Sequence, residues 1–145
     1  HVVCRRQRQM CIRDRATNYT ELLKTKTETI KNIPSLDLCL LGIGGDGHTA
    51  SIFPHELKKL SDKSDCVVGI NPDSGQKRVS LSIKQINNSK EVIFHVCGSG
   101  KKDVVDMIIS KRENYLDLPA SHILPNSKNL SWYLDFDSAE TFMGT

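Results

Sequence analysis

A short apolar segment that runs directly into a cluster of glycines constrains this chain more than any other feature. The apolar run covers residues 38–43, and four glycines lie within the six positions 42–47. An apolar run bounded by turn residues is typical of a buried strand. Glycines directly after such a strand allow positive φ and let a ligand approach the backbone closely. The sequence therefore predicts a buried strand that ends in a tight turn open to a ligand.

Two titratable residues, Asp46 and His48, lie inside this first glycine turn. Because imidazole titrates at about pH 6.5, a histidine here can act as a base near neutral pH. We expect a helix or a single turn over residues 49–53, whose start would offer backbone N–H groups to an anion or an oxyanion. Asp46 is expected to cap that helix, to orient His48 or a substrate hydroxyl, or to do both.

The alternative for His48 is a turn residue whose ring only satisfies a local carbonyl. We favour catalysis, because concave sites at strand ends are where titratable groups with shifted pKa values collect. The other histidines are weaker candidates. His95 lies inside an apolar strand and is interpreted as structural, and His55 and His122 carry still less signal.

A second glycine turn, at residues 98–100, follows another apolar run at residues 92–97. Apolar residues then recur with helical spacing over 104–109, so strand, glycine turn and helix are predicted again. Lys101 is either a solvated side chain, like its neighbour Lys102, or a contact for an anion. The spacing does not match a P-loop.

Strand-like and helix-like segments alternate along the whole chain. Further strands are predicted at residues 66–70, 79–83 and 130–134, and a helix is predicted at residues 17–33, ending at Pro34. This alternation predicts an α/β fold with a mainly parallel sheet flanked by helices. In such sheets ligands bind at the carboxyl ends of the strands, where both glycine turns lie.

One further candidate lies outside the two turns. Arg78 follows a loop at residues 71–77 that is dense in turn-forming residues, and it leads into a strand. It is either a plain surface residue or a phosphate clamp, a role that the planar, bidentate guanidinium suits.

Charge and hydropathy argue against two classes of partner. The net charge of +3 comes from residues 1–15, which hold five arginines and one acid and carry +4, whereas residues 16–145 carry −1. A near-neutral body gives no support for binding nucleic acid. No apolar run approaches the roughly 20 residues of a membrane helix.

The five cysteines form no Cys-x-x-Cys pair, and their odd number argues against a disulfide framework. Their spacing from histidines matches no structural zinc site, and a reducing, cytoplasmic compartment is predicted. Residues 1–15 lack the apolar core of a signal peptide and are a basic arm, part of a targeting peptide, or sequence foreign to the fold. We favour foreign or disordered sequence, which leaves residues 16–145 as the domain.

The first glycine turn resembles the signature of the 6-phosphogluconolactonase family, since residues 40–54 read Leu-Leu-Gly-Ile-Gly-Gly-Asp-Gly-His-Thr-Ala-Ser-Ile-Phe-Pro. Later segments resemble those of the family in the same order. They are residues 78–82, 86–94, 98–101, 118–121 and 130–135. The resemblance spans about residues 37–135 and identifies the chain as the C-terminal part of a domain of this family, with an α/β fold of the lactonase–isomerase type.

The resemblance implies hydrolysis of 6-phospho-D-glucono-1,5-lactone to 6-phosphogluconate. In this reaction His48 would take a proton from the attacking water. The N–H groups of Gly44 and Gly45 would stabilise the oxyanion, and Asp46 would orient His48 or the sugar.

The resemblance also implies how the substrate is held. Arg78, with Lys101 as the weaker candidate, would bind the phosphate of a small sugar-phosphate lactone. No metal or organic cofactor is implied, because the lactone is already a reactive ester. The parent protein is expected either to be fused to glucose-6-phosphate dehydrogenase or to act beside it.

The chain departs from the family at its beginning and at one later position. Family members start with a strand and a Ser-Gly-Gly-Ser-type loop that helps to hold the phosphate, followed by an Asp-Glu-Arg segment. Neither segment is present, so we expect an N-terminally truncated domain with an incomplete site. His122 also stands where the family often has arginine.

Two alternatives to the lactonase stay open at this point. One is a glucosamine-6-phosphate deaminase or isomerase, although the acidic residue that those enzymes carry before the proline is replaced by Phe53. The other is an inactive fragment that binds a sugar phosphate weakly or not at all.

Overall fold

The structure is a computed structural model that describes residues 2–143, with side chains over residues 12–142. The helices and strands in chain order are α1 (Val2–Lys26), β1 (Glu28–Ile30), β2 (Ile33–Ser35), β3 (Leu38–Leu41), β4 (Cys66–Ile70), β5 (Lys77–Leu81), α2 (Ile83–Asn87), β6 (Glu91–Val96), α3 (Lys102–Ile109), β7 (Leu130–Leu134) and α4 (Glu140–Met143). Short 3₁₀ helices lie at Pro54–Ser61, Ser99–Lys101, Tyr115–Asp117 and Pro119–His122.

Three parallel strands in the order β3–β6–β7 form the sheet that carries the candidate site. The register places Cys39 opposite Val92, and Phe94 opposite Trp132. Parallel neighbours need a crossover connection, and helical segments of the chain supply it on both occasions. The predicted α/β class with a mainly parallel sheet is confirmed, and the carboxyl ends of β3, β6 and β7 share one edge.

One face of this sheet forms the core. The buried strand residues on this face are Cys39, Leu41, Val92, Phe94 and Val96. The rings of Phe94 and Trp132 are stacked with their centroids 4.2 Å apart. Residues of α2 and α3 complete the cluster, because their apolar sides face the sheet.

The opposite face of the sheet is open among the described residues. Leu38 and Leu40 of β3 are 51% and 65% exposed, and Tyr133 of β7 is 59% exposed. The prediction of a buried strand at residues 38–43 is therefore wrong for one of its two faces. Successive side chains of a strand point to opposite sides, and only one side of β3 is covered.

A separate antiparallel pair, β4–β5, packs beneath α1. Ala16 and Leu23 of α1 and Cys66 of β4 form a second, small apolar cluster there. Helix α1 begins at Val2, whereas the sequence predicted helix only from Thr17. The foreign or disordered character of residues 1–15, and the domain over residues 16–145, stay predictions.

The predicted helix over residues 17–33 is wrong after Lys26, where a short hairpin follows. Lys31 and Asn32 take positive φ of 55° and 64° in its turn. The Asn88 side-chain amide fixes the hairpin by donating to the carbonyls of Ile33 at 3.0 Å and Pro34 at 3.1 Å. A helix periodicity in sequence does not reveal this distant hydrogen-bond partner.

No described helix combines the length and apolar character needed to cross a bilayer.

Candidate functional site

The centre of the candidate site is a hydrogen-bonded pair formed by His48 and Asp46. Nδ1 of His48 lies 2.6 Å from Oδ1 of Asp46, and the His48 backbone N–H donates to the same oxygen at 3.1 Å. Because an ionised carboxylate only accepts, Nδ1 is the donor in this contact, and Nε2 has a free lone pair whenever the ring is neutral. The side chains are 33% and 44% exposed, so the pair is reachable from solvent.

The surroundings of Asp46 keep its carboxyl ionised. Burial by itself would raise the pKa of Asp46, but the hydrogen bonds from the backbone and ring of His48, together with the charge of that ring, lower the pKa below its ordinary value. An ionised Asp46 holds the tautomer of His48 and stabilises the imidazolium that forms when Nε2 takes a proton. The pair can therefore act as a general base.

Glycine is required at two positions of this turn for different reasons. A Cβ at Gly44 would lie 2.1 Å from Nδ1 of His48 and 2.4 Å from Oδ1 of Asp46. Gly47 has φ of +80°, and a Cβ there would lie 2.8 Å from the Leu118 side chain. The first glycine makes room for the His48–Asp46 pair, and the second lets the turn pack against the segment that carries Leu118.

Buried neighbours brace the same turn from outside. Thr49, which is 1% exposed, donates its hydroxyl to the carbonyl of Gly42 at 2.9 Å. The Ala120 N–H donates to the carbonyl of Gly47 at 3.0 Å. The ring of His48 packs on the buried Phe53 with the ring centroids 4.8 Å apart. The turn that carries His48 is thus held in place by buried neighbours.

No helix begins at this turn. Of the two alternatives predicted for residues 49–53, a helix or a single turn, the structure has the single turn, closed by a hydrogen bond from the Ile52 N–H to the carbonyl of Thr49 at 3.0 Å. Thr49 and Ile52 form an isolated bridge, Ala50 takes φ of 51°, and the next helical segment is the 3₁₀ helix that starts at Pro54. Asp46 therefore caps no helix. Its carboxylate closes a local turn onto the N–H two residues further on, as aspartate commonly does.

Gly44 and Gly45, which were predicted as oxyanion donors, differ in whether their N–H groups already have a partner. The Gly44 N–H donates to the carbonyl of His48 at 2.8 Å, so it is already used within the turn. Across the described residues, the Gly45 N–H has no hydrogen-bond partner. Of the two, Gly45 is the one whose N–H is available to a bound molecule.

The second glycine turn brings Lys101 to the first. A Cβ at Gly45 would lie 4.0 Å from Nζ of Lys101 and 3.6 Å from the carbonyl oxygen of Gly100. Lys102 instead forms an ion pair with Glu140 of α4 at 3.0 Å. The two neighbouring lysines therefore differ, and only Lys101 reaches the turn of His48 and Asp46.

Arg78 lies in β5, on the same strand face as Ser80. The Ser80 hydroxyl accepts a hydrogen bond from the backbone N–H of Ser51 at 3.0 Å, which joins this strand to the segment after His48. The Arg78 guanidinium itself donates to the side-chain oxygen of Gln76 at 3.1 Å. The structure therefore links the strand of Arg78 to the segment after His48 through Ser80, and pairs the Arg78 side chain with its own loop.

Sequence reasoning missed Asp135. Its carboxylate accepts the Gly98 N–H at 2.8 Å and the Ser138 N–H at 2.9 Å. The signal was present in the sequence, because Asp135 directly follows a predicted strand. It therefore had to lie at the same sheet edge as the two glycine turns.

The remaining predicted histidines lie outside the pair. His95 is exposed on the open face of the sheet, and Nε2 of His122 lies 2.8 Å from the carbonyl oxygen of Leu116. Over the part of the chain that the structure describes, no group of three His, Cys, Asp or Glu side chains is arranged to hold a metal ion.

Comparison with known proteins shows the family of this chain. Residues 1–132 match the family described as glucosamine-6-phosphate isomerases/6-phosphogluconolactonase. The chain belongs to this family. A 6-phosphogluconolactonase of Treponema pallidum is 41% identical over 92 residues, which are 63% of this chain and 38% of that protein.

Two further relatives extend the comparison. The solved structure of 6-phosphogluconolactonase from Trypanosoma brucei superimposes with a TM-score of 0.73 at 31% identity, covering 87% of this chain and 52% of that one. The human GDH/6PGL endoplasmic bifunctional protein is 38% identical over 104 residues, which are 72% of this chain and 13% of that protein. The chain thus spans about half or less of the length of these relatives.

Proposed function

We propose that this chain belongs to an enzyme that hydrolyses 6-phospho-D-glucono-1,5-lactone to 6-phosphogluconate. The observation that carries the proposal is the His48–Asp46 pair, whose 2.6 Å contact leaves Nε2 as a proton acceptor at the edge of a parallel sheet. The names of the Treponema pallidum and Trypanosoma brucei relatives support the choice of reaction.

In the proposed reaction Nε2 of His48 accepts a proton from a water molecule as the water oxygen attacks the lactone carbonyl carbon. The Gly45 N–H donates to the oxyanion that forms. When the carbonyl re-forms, the bond from that carbon to the ring oxygen breaks, and the proton held by His48 passes to the ring oxygen as it becomes a hydroxyl. The products are a carboxylic acid, which ionises, and a regenerated neutral His48.

The substrate phosphate is assigned to Lys101, with Arg78 as a second contact. The position of the Lys101 ammonium beside Gly45 supports this assignment, because one cation there faces the turn that carries the base. Arg78 would have to exchange its hydrogen bond with Gln76 for one with the phosphate. A bidentate hydrogen bond from the guanidinium to the phosphate would be stronger than the hydrogen bond lost to Gln76.

A deaminase or isomerase acting on glucosamine 6-phosphate is the second candidate, because the family description names both activities. The two are separated by giving the 145-residue chain each substrate in turn. We expect acid release from the lactone above the spontaneous rate and no ammonia from glucosamine 6-phosphate. Ammonia release without lactone turnover would replace the lactonase assignment by the deaminase.

The third possibility is that the chain alone lacks part of the pocket. We propose to compare it with a version extended at its N-terminus by the corresponding region of the Treponema pallidum relative. If the extended version hydrolyses the lactone and the His48→Ala form of it does not, the site described above is correct but incomplete. If neither version does, the lactonase proposal fails.

Partners and compartment are also proposals. The human bifunctional relative supports a parent protein in which this domain is fused to a dehydrogenase or acts beside one. We propose a cytoplasmic enzyme, a choice supported by the free thiols of Cys39, Cys66 and Cys97. Fractionation of the source cells, followed with an antibody against this domain, tests the compartment.

A further inference from the structure

The carboxyl ends of β6 and β7 are tied together by a small hydrogen-bond network. The Asp135 N–H donates to the carbonyl of Val96 at 3.2 Å, and the hydroxyl of the fully buried Ser138 donates to the same carbonyl at 3.2 Å. The Asp135 carboxylate then accepts one N–H from Ser138 and one from Gly98. Asp135, which directly follows β7, thus binds the Gly98 N–H at the start of the second glycine turn, which follows β6.

The two glycines of that second turn have no neighbours on the side where a Cβ would lie. Gly98 takes φ of +94°, and neither Gly98 nor Gly100 has a neighbour within 4 Å of the position where a Cβ would lie. No side chain caps the 3₁₀ helix Ser99–Lys101 at its start. The hydrogen bond from the Gly98 N–H to Asp135 is therefore the contact that sets the direction in which the turn leaves the sheet.

Lys101 lies at the end of this turn. Its backbone N–H donates to the carbonyl of Gly98 at 3.1 Å. The position of the Lys101 backbone therefore depends on the orientation of the Gly98 residue. The Lys101 ammonium then reaches Gly45, and with it the turn of His48. A rotation of the Gly98 peptide would carry the ammonium away from that place.

We propose that Asp135 is a positioning residue, which holds the Gly98–Lys101 turn so that the Lys101 ammonium stays over Gly45 and receives the phosphate of the substrate. This inference rests on the proposed function for its ligand, but not for its geometry. Among the described residues Asp135 forms no hydrogen bond or ion pair with His48 or Asp46, so the proposal assigns its effect to the position of Lys101.

The first test uses turnover, in whichever form of the enzyme hydrolyses the lactone. Asp135→Ala should raise KM about fivefold with little change in kcat, because a lost hydrogen bond loosens the phosphate contact but not the base. Asp135→Asn keeps an accepting oxygen and should have a smaller effect. Asp137→Ala, two residues further on and exposed, is the matched control and should leave both constants unchanged.

A double-mutant cycle shows whether the effect passes through Lys101. In the Lys101→Met background, Asp135→Ala should not raise KM further, because there is no ammonium left to position. If the two substitutions multiply their effects, or if Asp135→Ala lowers kcat as much as it raises KM, the carboxylate has a different role and the inference is wrong.

The second test needs no substrate and is therefore independent of the proposed function. In the 145-residue chain, a nuclear Overhauser contact between the Lys101 ε-methylene and the Gly45 α-protons reports the distance directly. We expect Asp135→Ala to abolish this contact and to speed hydrogen exchange of the Gly98 amide, while Asp137→Ala preserves both. An unchanged contact in folded Asp135→Ala would overturn the inference even if the chain is an active lactonase.

Discussion

The two glycine turns at the edge of the parallel sheet are alike in sequence and different in construction. The first carries His48 and Asp46 and is braced by buried residues on both sides, such as Thr49 and Phe53, but no helix follows it. The second leads into α3 and is held by one carboxylate, that of Asp135, which directly follows β7. The turn proposed to carry the base thus has more buried support than the turn proposed to hold the phosphate.

The physical reason lies in what each turn has to place. Proton transfer requires donor and acceptor within hydrogen-bond distance, and small displacements are costly. A Lys ammonium on a flexible stem tolerates a wider range of backbone positions, because it acts as a point charge. Substitutions in the first turn should therefore affect kcat, and those in the second should affect KM.

Removing the base should have the largest effect. In the lactonase-active form we expect His48→Ala to lower kcat by about 100- to 10,000-fold, because the general base of the proposed reaction is lost. The measurement is initial-rate proton release, corrected for spontaneous hydrolysis. His95→Ala, on the open face of the sheet, is the control and should retain full turnover. A His48→Ala enzyme with normal kcat would remove the first turn from the chemistry.

A methyl group in the first turn should be nearly as harmful, and one in the second turn should not. Gly44→Ala forces a Cβ into the space of His48 and Asp46, and we expect kcat to fall about 100-fold as the pair is pushed apart. Gly100→Ala meets no atom within 4 Å and should change kcat less than about twofold, since it creates no clash. Equal losses in both variants would show that the two turns are equally constrained.

Substitutions of the two neighbouring lysines distinguish a contact with the substrate phosphate, proposed for Lys101, from a surface ion pair, formed by Lys102. Lys101→Met should raise KM about tenfold or more with a smaller effect on kcat, because a charge-assisted contact with the phosphate is lost. Lys102→Met removes only the exposed ion pair with Glu140 and should leave KM unchanged. Steady-state kinetics on the two variants decide the point. The assignment reverses if Lys102→Met is the one that weakens binding.

The smallest expected effect is the contribution of the ionised Asp46 carboxylate to the free energy of unfolding, which depends on pH. Its pKa is lower in the folded chain than in the unfolded chain, because the hydrogen bonds and charge of His48 outweigh burial. This contribution to stability is present above the unfolded pKa of about 4 and is lost as the pH falls through the lower folded pKa. It should amount to less than about 1 kcal/mol, since the side chain is partly solvated.

Urea unfolding at a series of pH values measures this contribution. The difference in unfolding free energy between the wild-type chain and Asp46→Asn should be measurable at about pH 5 and should shrink below about pH 4. Asp137→Asn serves as the exposed control. A difference that grows on acidification would mean that folding raises the pKa of Asp46 instead of lowering it.

Local signals in the sequence were sufficient for much of this architecture. β3, β6 and β7 are apolar runs bounded by turn residues, and Asp46 and His48 lie so close in sequence that any tight turn brings them together. Their direct contact could therefore be expected, as could the place of both glycine turns at one edge of the sheet. Lys101 and Arg78 were candidates for anion contacts from their places in the sequence, and the family resemblance favoured phosphate as the anion. These roles stay predictions.

The features that sequence reasoning missed depend on contacts between distant residues. The hairpin after Lys26 is fixed by Asn88, which lies more than fifty positions along the chain. Two other hydrogen bonds form only in the folded chain. The Gly44 N–H donates to the carbonyl of His48, and the Gly98 N–H donates to the carboxylate of Asp135. Hydrogen bonds of this kind leave no periodic pattern, so neither propensity nor hydrophobic spacing indicates them.

The β3 strand lies at an edge of the sheet and makes the chain prone to aggregate. Within the described residues β3 pairs with β6 alone, so the backbone groups along its other edge have no partner strand. The side chains of Leu38 and Leu40 on the same strand are exposed. An apolar strand with a free edge is a template for adding further strands. Concentrated stocks should therefore become turbid with storage, and Leu40→Lys, which places a repelling charge on that edge, should keep them clear.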